Sequence, residues 1–306
     1  VAVDHLLLTD EFKQPRSSYT ELFNLIVSDF KAAVVVLPLK SEQNAIDLNR
    51  PSKGAAQAWL GKAYLFMASP YYTDFGSEYY DSAAAALQQV IASGEYGLEP
   101  DFNNVWQIDN EYGIESILEV EYHSTNTLDG FSHMLWASGN LDVQMGGVRN
   151  CNSCDSIASG TWGWSIPTRD IINAYNSEGD IERLNGTVVL ESDISGTGFT
   201  YETPETFAGG WSKKRMAWAH IQDPTNTQTG FPTNERLMRY ADVLLMYSEA
   251  LLQGPVTDPL GNNPDYYLNL VRNRANLTPK SGITLDDIKL ERRLELAFEG
   301  QRFHDL

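Results

Sequence analysis

Arg236-Leu-Met-Arg-Tyr-Ala-Asp-Val-Leu-Leu-Met-Tyr-Ser-Glu-Ala-Leu251 is the stretch on which the reading of this chain turns. Between Glu235 and Gln253, the residues Leu237, Tyr240, Ala241, Leu244, Leu245, Tyr247, Ser248 and Leu251 recur at three- and four-residue steps. That period predicts a helix with one wide apolar face. Asp242 and Glu249 lie seven residues apart on one side of it and call for cationic partners from neighbouring elements.

Working outward, Asn263-Pro264 supplies an N-cap with proline at the first helical position, opening a helix over 265–275. Thr284 caps a last helix expected over 285–305, with Leu290, Leu294, Ala297 and Phe298 facing inward. At the other end of the chain, Ser18-Tyr19-Thr20-Glu21 is a capping box. Behind it Leu22, Phe23, Ile26, Val27, Phe30, Val34 and Leu37 read as one buried stripe that Pro38 ends. A second helix starts near Pro51-Ser52, where Gly54, Ala55, Ala58, Gly61 and Ala63 let another helix approach closely. Leu60-Gly61-Lys62-Ala63-Tyr64 fits half of a tetratricopeptide motif. A third helix, over 80–92, carries Ala83, Ala84, Leu87, Val90 and Ile91.

The texture changes near Gly113. Ile114 to Tyr122 reads as a short strand, and the following residues to about Asn234 are rich in Gly, Ser, Thr, Asn and aromatics. Only 168–176 reads as helical there. A loop region of that length inside a compact protein is usually functional or disordered, and its tryptophans argue against disorder.

The bulk numbers narrow the function. Of 306 residues, 42% are hydrophobic and 21% charged, an ordinary globular composition. Lys plus Arg number 22 against 41 for Asp plus Glu, a formal charge of −19. Such a field repels nucleic acid and anionic membranes, which bind through clustered cations. The longest uncharged apolar run, Ala32 to Leu39, falls far short of the roughly 20 residues a membrane helix needs. Val1-Ala2-Val3-Asp4-His5 has neither a basic n-region nor a lipobox cysteine, and Asp305-Leu306 falls within a helical pattern, so both ends are expected to be cut.

Two stretches resemble one family. Arg236 to Leu251, followed by Leu270-Val-Arg-Asn-Arg-Ala275, is similar to the "RyADvLLmyAEAl" and "lN.vR.RA" helices of the SusD/RagB proteins. Glu291-Arg-Arg-Leu-Glu-Leu-Ala-Phe-Glu-Gly-Gln-Arg-Phe-His-Asp-Leu306 is similar to their "ERR.ELafEG.R..DL". Tyr19 to Pro38, Asn49 to Met67, Ile117 to Val120, and Pro167 to Tyr175 with Asp180 and Arg183 agree more loosely; Ser248 stands where the family has Ala. The resemblance implies a mainly α, tetratricopeptide-like scaffold of helical hairpins carrying a loop-rich, aromatic ligand face. It divides the chain as 1–112 helical, 113–234 ligand-binding and 235–306 helical, one discontinuous domain truncated at both ends. It also implies a non-catalytic outer-membrane lipoprotein of Bacteroidetes-type bacteria, anchored through an N-terminal Cys missing here. Such a protein acts as a lid on a SusC-like TonB-dependent transporter.

The candidate chemistry follows. Glu291, Glu295 and Glu299 form an i, i+4 stripe whose like charges repel. Arg236, Arg239, Arg272, Arg274, Arg292 and Arg302 are the available partners, and a structural ion-pair network outweighs a catalytic site. No acid pair is singled out for glycoside hydrolysis, and no G-x-S-x-G, H-E-x-x-H or Gly-rich phosphate loop is present, so no catalytic residue, cofactor or metal ligand is assigned. Cys151-Asn152-Ser153-Cys154 is a single C-x-x-C in an Asn/Ser-rich loop, read as a local disulfide or inert thiols.

The aromatics carry the function. A pyranose stacks its C–H face on Trp or Tyr, while its hydroxyl rim wants Asn, Gln, Asp and Arg. Trp136, Trp162 and Trp164 accompany Asn140, Gln144, Arg149 and Asn150, and these seven are the candidate ligand residues. Trp59, Trp106 and Tyr64 sit in or beside helical patterns and read as core. The expected activity is capture of oligosaccharide or polysaccharide and delivery to the transporter. Peptide capture by the same lid is the alternative, and a tetratricopeptide adaptor a more distant one.

Overall fold

The computed structural model describes residues 6, 9, 12–122, 139–149, 151, 161–195, 208–214, 216 and 231–305, with the backbone alone at Gln144 and His304. The principal elements, in chain order, are α1 (Tyr19–Val36), α2 (Lys53–Ala68), α3 (Tyr79–Ala92), β1 (Ser116–Val120), α4 (Leu141–Met145), α5 (Arg169–Glu178), α6 (Ile181–Thr187), β2 (Val188–Leu190), α7 (Glu191–Ile194), β3 (Gly210–Ser212), β4 (Glu235–Arg239), α8 (Tyr240–Gln253), α9 (Pro264–Arg274), α10 (Leu285–Glu295) and α11 (Arg302–Asp305). Short 3-10 turns join several of them. The fold is mainly helical, as the periodicity predicted.

The chain forms two compact units, each assembled from three stretches of the sequence. The first comprises residues 1–98, 238–271 and 280–288. There α2 packs on α1, α3 and α8, and α3 on α8. Small residues make this possible: a Cβ at Gly61 would lie 2.5 Å from Leu87 Cγ, so the α2 backbone itself forms the seat for Leu87. Ala55, Ala58, Ala83, Leu87, Ala241 and Leu244 are fully buried. Burial of a leucine contributes roughly 1.5–3 kcal/mol, and a larger side chain at Gly61 would disrupt the seat. Ser18 and Glu21 form the expected capping box of α1, and Ser52 caps α2. The α1 stripe is shallower than expected, because among its residues only Phe23 is buried.

The second unit comprises residues 99–237, 272–279 and 289–306. β2 and β3 pair antiparallel with Val188 opposite Ser212, Val189 opposite Trp211 and Leu190 opposite Gly210. α5 starts at its Thr168 cap and ends at Gly179, whose φ of 70° places it in the left-handed region that glycine favours. Asp180 then caps α6. Ile171, Ile172, Tyr175, Leu184, Val188 and Leu294 form one buried cluster of this unit.

Three expectations need correction. The helix predicted from Glu235 begins at Tyr240, and 235–239 is a strand paired with β1. Arg236, Met238 and Arg239 are its buried positions while Glu235 and Leu237 are partly exposed, so buried arginines conceal the two-residue period. The last helix ends at Glu295 rather than running to Asp305; Phe298 (φ 66°) and Gly300 (φ 74°) turn the chain before α11. The region 113–234 holds α4, α6 and α7 beside the predicted α5; each has seven residues or fewer, too short to show a periodic face.

Candidate functional site

The candidate cleft is assembled from two short segments of the second unit, 139–149 and 161–166. Asn140 opens α4, its Oδ1 accepting from the Asp142 N–H at 3.0 Å. Beyond α4, Val148 packs with Cys151, Ile194, Trp211 and Met216 in a buried cluster. Thr161, itself buried, donates from Oγ1 to the Val148 carbonyl at 2.6 Å. Trp164 N–H donates to the Met145 carbonyl at 2.6 Å, so the second segment is docked on the first at two points.

Gly163 makes the turn between the two indoles. Its φ is 69°, and a Cβ there would lie 2.8 Å from Arg149 Cβ. Only glycine fits both the backbone conformation and the space. The rings of Trp162 and Trp164 consequently lie 5.0 Å apart at 55° to each other. Trp162 is half-buried and Trp164 is 56% exposed. Together with Arg149 and Thr161 they line a cavity of about 320 Å³, at the lower end of ligand-pocket volumes. An exposed indole face beside a guanidinium suits a ligand with one apolar face and a hydroxylated edge.

A different arrangement lies at the signature helix, α10. Arg183 has no solvent exposure and holds three carboxylates: Asp180 at 2.6 Å, Glu291 at 2.7 Å and Glu295 at 3.2 Å. Arg272 pairs with Glu291 at 2.8 Å and Glu178 at 3.1 Å, and Arg274 with Glu295 at 2.6 Å and Glu115 at 3.1 Å. Lys214 pairs with Glu299 at 2.6 Å and rides 4.6 Å from the Trp106 ring centroid. Burial works against the charge on Arg183, yet Glu291, Glu295 and Asp180 together hold its pKa above the ordinary value. Asp180 is pushed upward by burial, against the pull of Arg183. This is a buried ion-pair network, the structural arrangement expected for the signature acids. Arg183 is its centre, although the composition of α10 alone did not point to it. A second cavity of the same unit, about 210 Å³, is lined by Ile166, Ile171, Phe298 and the arginines 292, 293 and 302 among others.

A third feature is the support beneath β1. Asn234 N–H donates to Glu111 at 2.7 Å and its Nδ2 to Glu119 at 3.0 Å, while Tyr122 N–H donates to Asn234 Oδ1 at 3.1 Å. Burial pushes the Glu111 carboxyl up to about 7, opposed by the Asn234 N–H and Arg236 and reinforced by Glu119 and Glu121.

Of the seven candidate residues, the structure brings Arg149, Trp162 and Trp164 to one cleft. Asn140 is 3% exposed, and its amide is engaged inside the fold. Gln144 lies in α4 with its side chain outside the description, and Trp136 and Asn150 lie outside the described residues. Thr161 joins the cleft without having been singled out; its place directly before Trp162 is the one signal in sequence. Trp211 and Tyr64 are buried, and Trp59 and Trp106 half-buried. Cys151 is buried and disulfide-bonded, while Cys154 lies outside the described residues. Among the described residues, no group of three His, Cys, Asp or Glu is placed to hold a metal ion, and no helix is long and apolar enough to cross a membrane.

Known proteins bear on this geometry. Residues 194–306 match the family model described as the SusD family. A SusD-like protein of Bacteroides ovatus is 28% identical, the match covering 99% of this chain and 53% of that protein. The chain spans about half the length of the curated relatives it matches. Among solved structures, a laminarin binding SusD-like protein is 26% identical with a TM-score of 0.77, over 98% of this chain and 63% of that one. Surface glycan-binding protein A from Bacteroides thetaiotaomicron, in complex with laminarihexaose, shares the fold at a TM-score of 0.79 and 22% identity, over 94% of this chain and 61% of that one. The family match, the curated relative and the 26%-identical structure support the SusD/RagB family.

Proposed function

We propose that this SusD/RagB-family chain captures oligosaccharide or polysaccharide at the cell surface without turnover and delivers it to a SusC-like TonB-dependent transporter of the outer membrane. The observation that carries the reading is the Trp162–Gly163–Trp164 turn. Its exposed indole faces a cavity shared with Arg149 and Thr161. That combination offers a stacking surface and a polar edge together, the pairing a sugar ring needs. The signature carboxylates that would otherwise suggest hydrolysis are locked in buried ion pairs, which leaves them unavailable as an acid and a nucleophile flanking a bond. Anchoring by a lipidated N-terminal cysteine of the full-length protein belongs to the same proposal.

Native affinity electrophoresis against a panel of polysaccharides, laminarin first because one solved relative is named for binding it and another is in complex with laminarihexaose, tests the capture. Retarded migration in at least one, with no new reducing ends after long incubation, is the expected result. Release of oligosaccharides by the pure protein would overturn it, and so would failure of the full-length chain to be retarded by any polysaccharide.

A further inference from the structure

Asn140 makes a set of contacts unusual for a residue on a loop. Its backbone N–H donates to the Phe231 carbonyl at 2.8 Å, and its Nδ2 donates to the Thr233 carbonyl at 2.8 Å. Its Oδ1 meanwhile caps α4 through the Asp142 N–H. Val143 of α4 packs against Phe231, both of them buried. One side chain therefore starts the helix and fastens it to 231–233. That segment is itself held at Asn234 by Glu111, Glu119 and Tyr122 N–H. At its far end α4 presents the Met145 carbonyl that receives the Trp164 N–H at 2.6 Å.

We propose that Asn140 is a positioning residue for the Trp164 platform: its amide fixes α4 against 231–233, and α4 fixes the platform backbone through Met145. The proposal rests on the reading of Trp164 as the stacking surface only for its functional meaning; the mechanical link stands on the hydrogen bonds. α4 has only five residues, too few to hold its own conformation, so its orientation must come from outside. The amide does both jobs because it carries an acceptor and a donor on one planar group. Asp would keep the cap and lose the tie to Thr233, and Ala would lose both.

Hydrogen exchange on the folded chain tests the link without a ligand. Asn140→Ala and Asn140→Asp are compared with the parent over peptides covering 161–166, with α5 as the internal reference. Loss of one or two buried hydrogen bonds is expected to speed exchange of 161–166 about tenfold in Asn140→Ala, with a smaller but clear acceleration in Asn140→Asp and α5 unchanged. Trp164 emission, isolated as the difference from a matching Trp164→Phe protein, is expected to become more accessible to acrylamide in the same variants. Exchange of 161–166 that stays at the parent rate, or that rises only in step with α5, would overturn the proposal, as would unchanged quenching of Trp164. If Asn140→Ala fails to fold, Asn140→Asp decides on the same readouts. A linked platform in a parent protein that binds no glycan, or whose affinity Trp164→Ala leaves unchanged, would sink the functional reading and leave the link intact, so the two failures are distinguishable.

Discussion

Two regions of the second unit use arginine and its neighbours in opposite ways. Around α10, Arg183, Arg272 and Arg274 are enclosed and each meets two or three carboxylates. At the cleft, Arg149 lines a cavity beside an indole with more than half its surface in solvent. The first region spends its charges on one another in buried ion pairs. The second leaves an indole face open beside a partly exposed arginine. The stretches that most clearly carry the family resemblance thus build the scaffold, and the ligand-facing chemistry lies in the loop-rich segment whose sequence is least regular.

If that contrast is right, damage to the two regions separates into stability and binding. Arg183→Ala leaves Asp180, Glu291 and Glu295 facing one another without their shared cation. It should destabilise the fold by about 3–5 kcal/mol, the usual cost of removing one partner of a buried ion pair. Urea unfolding with a tryptophan signal measures it. A loss below about 1 kcal/mol would mean the network is not the lock described.

Gly163→Ala should cost about 1–3 kcal/mol, because alanine disfavours φ of 69° and its Cβ would press on Arg149. The same unfolding experiment applies, and an unaltered midpoint would show that the turn between the indoles has another conformation in solution.

The smallest effect concerns Glu111. In the unfolded chain its carboxyl titrates near the ordinary 4.5, and in the fold near 7. Between those values the folded state keeps a proton that the unfolded state has released. The stabilising contribution is therefore complete below about pH 4.5 and is lost as pH rises through about 7. Glu111 is partly solvent-exposed, so the change is discounted to about 1 kcal/mol. Glu111→Gln should flatten the stability profile over that window. An unchanged slope would place the titration elsewhere.

Much of the scaffold was legible because caps and periodicity are local. Ser18, Ser52, Thr168 and Thr284 each announced a helix start that the structure contains. The strand at 235–239 was hidden because its buried positions include Arg236, which pairs with Glu119 and packs 5.7 Å from Trp106. A pattern counted in apolar residues misses a buried charge whose partner is far away in sequence. The same reason hid Arg183, whose partners Glu291 and Glu295 lie more than a hundred residues on. For the cleft, residue type pointed to Trp162, Trp164 and Arg149, since large rings in polar loops are costly unless they pack or bind. Residue type could not separate Arg149, which lines the cavity, from Asn140, whose burial depends on the distant segment 231–233.

The most direct test of the account replaces Trp164 with alanine and measures two quantities on one preparation: calorimetric affinity for a polysaccharide that the parent binds, and thermal midpoint. Removal of the stacking face should weaken binding by about 1–3 kcal/mol, tenfold or more, because aromatic platforms contribute energies of that order. The midpoint should stay where it is, since the ring is 56% exposed and lies outside the buried clusters. Undiminished affinity, or a midpoint that collapses together with binding, would contradict the division between scaffold and platform.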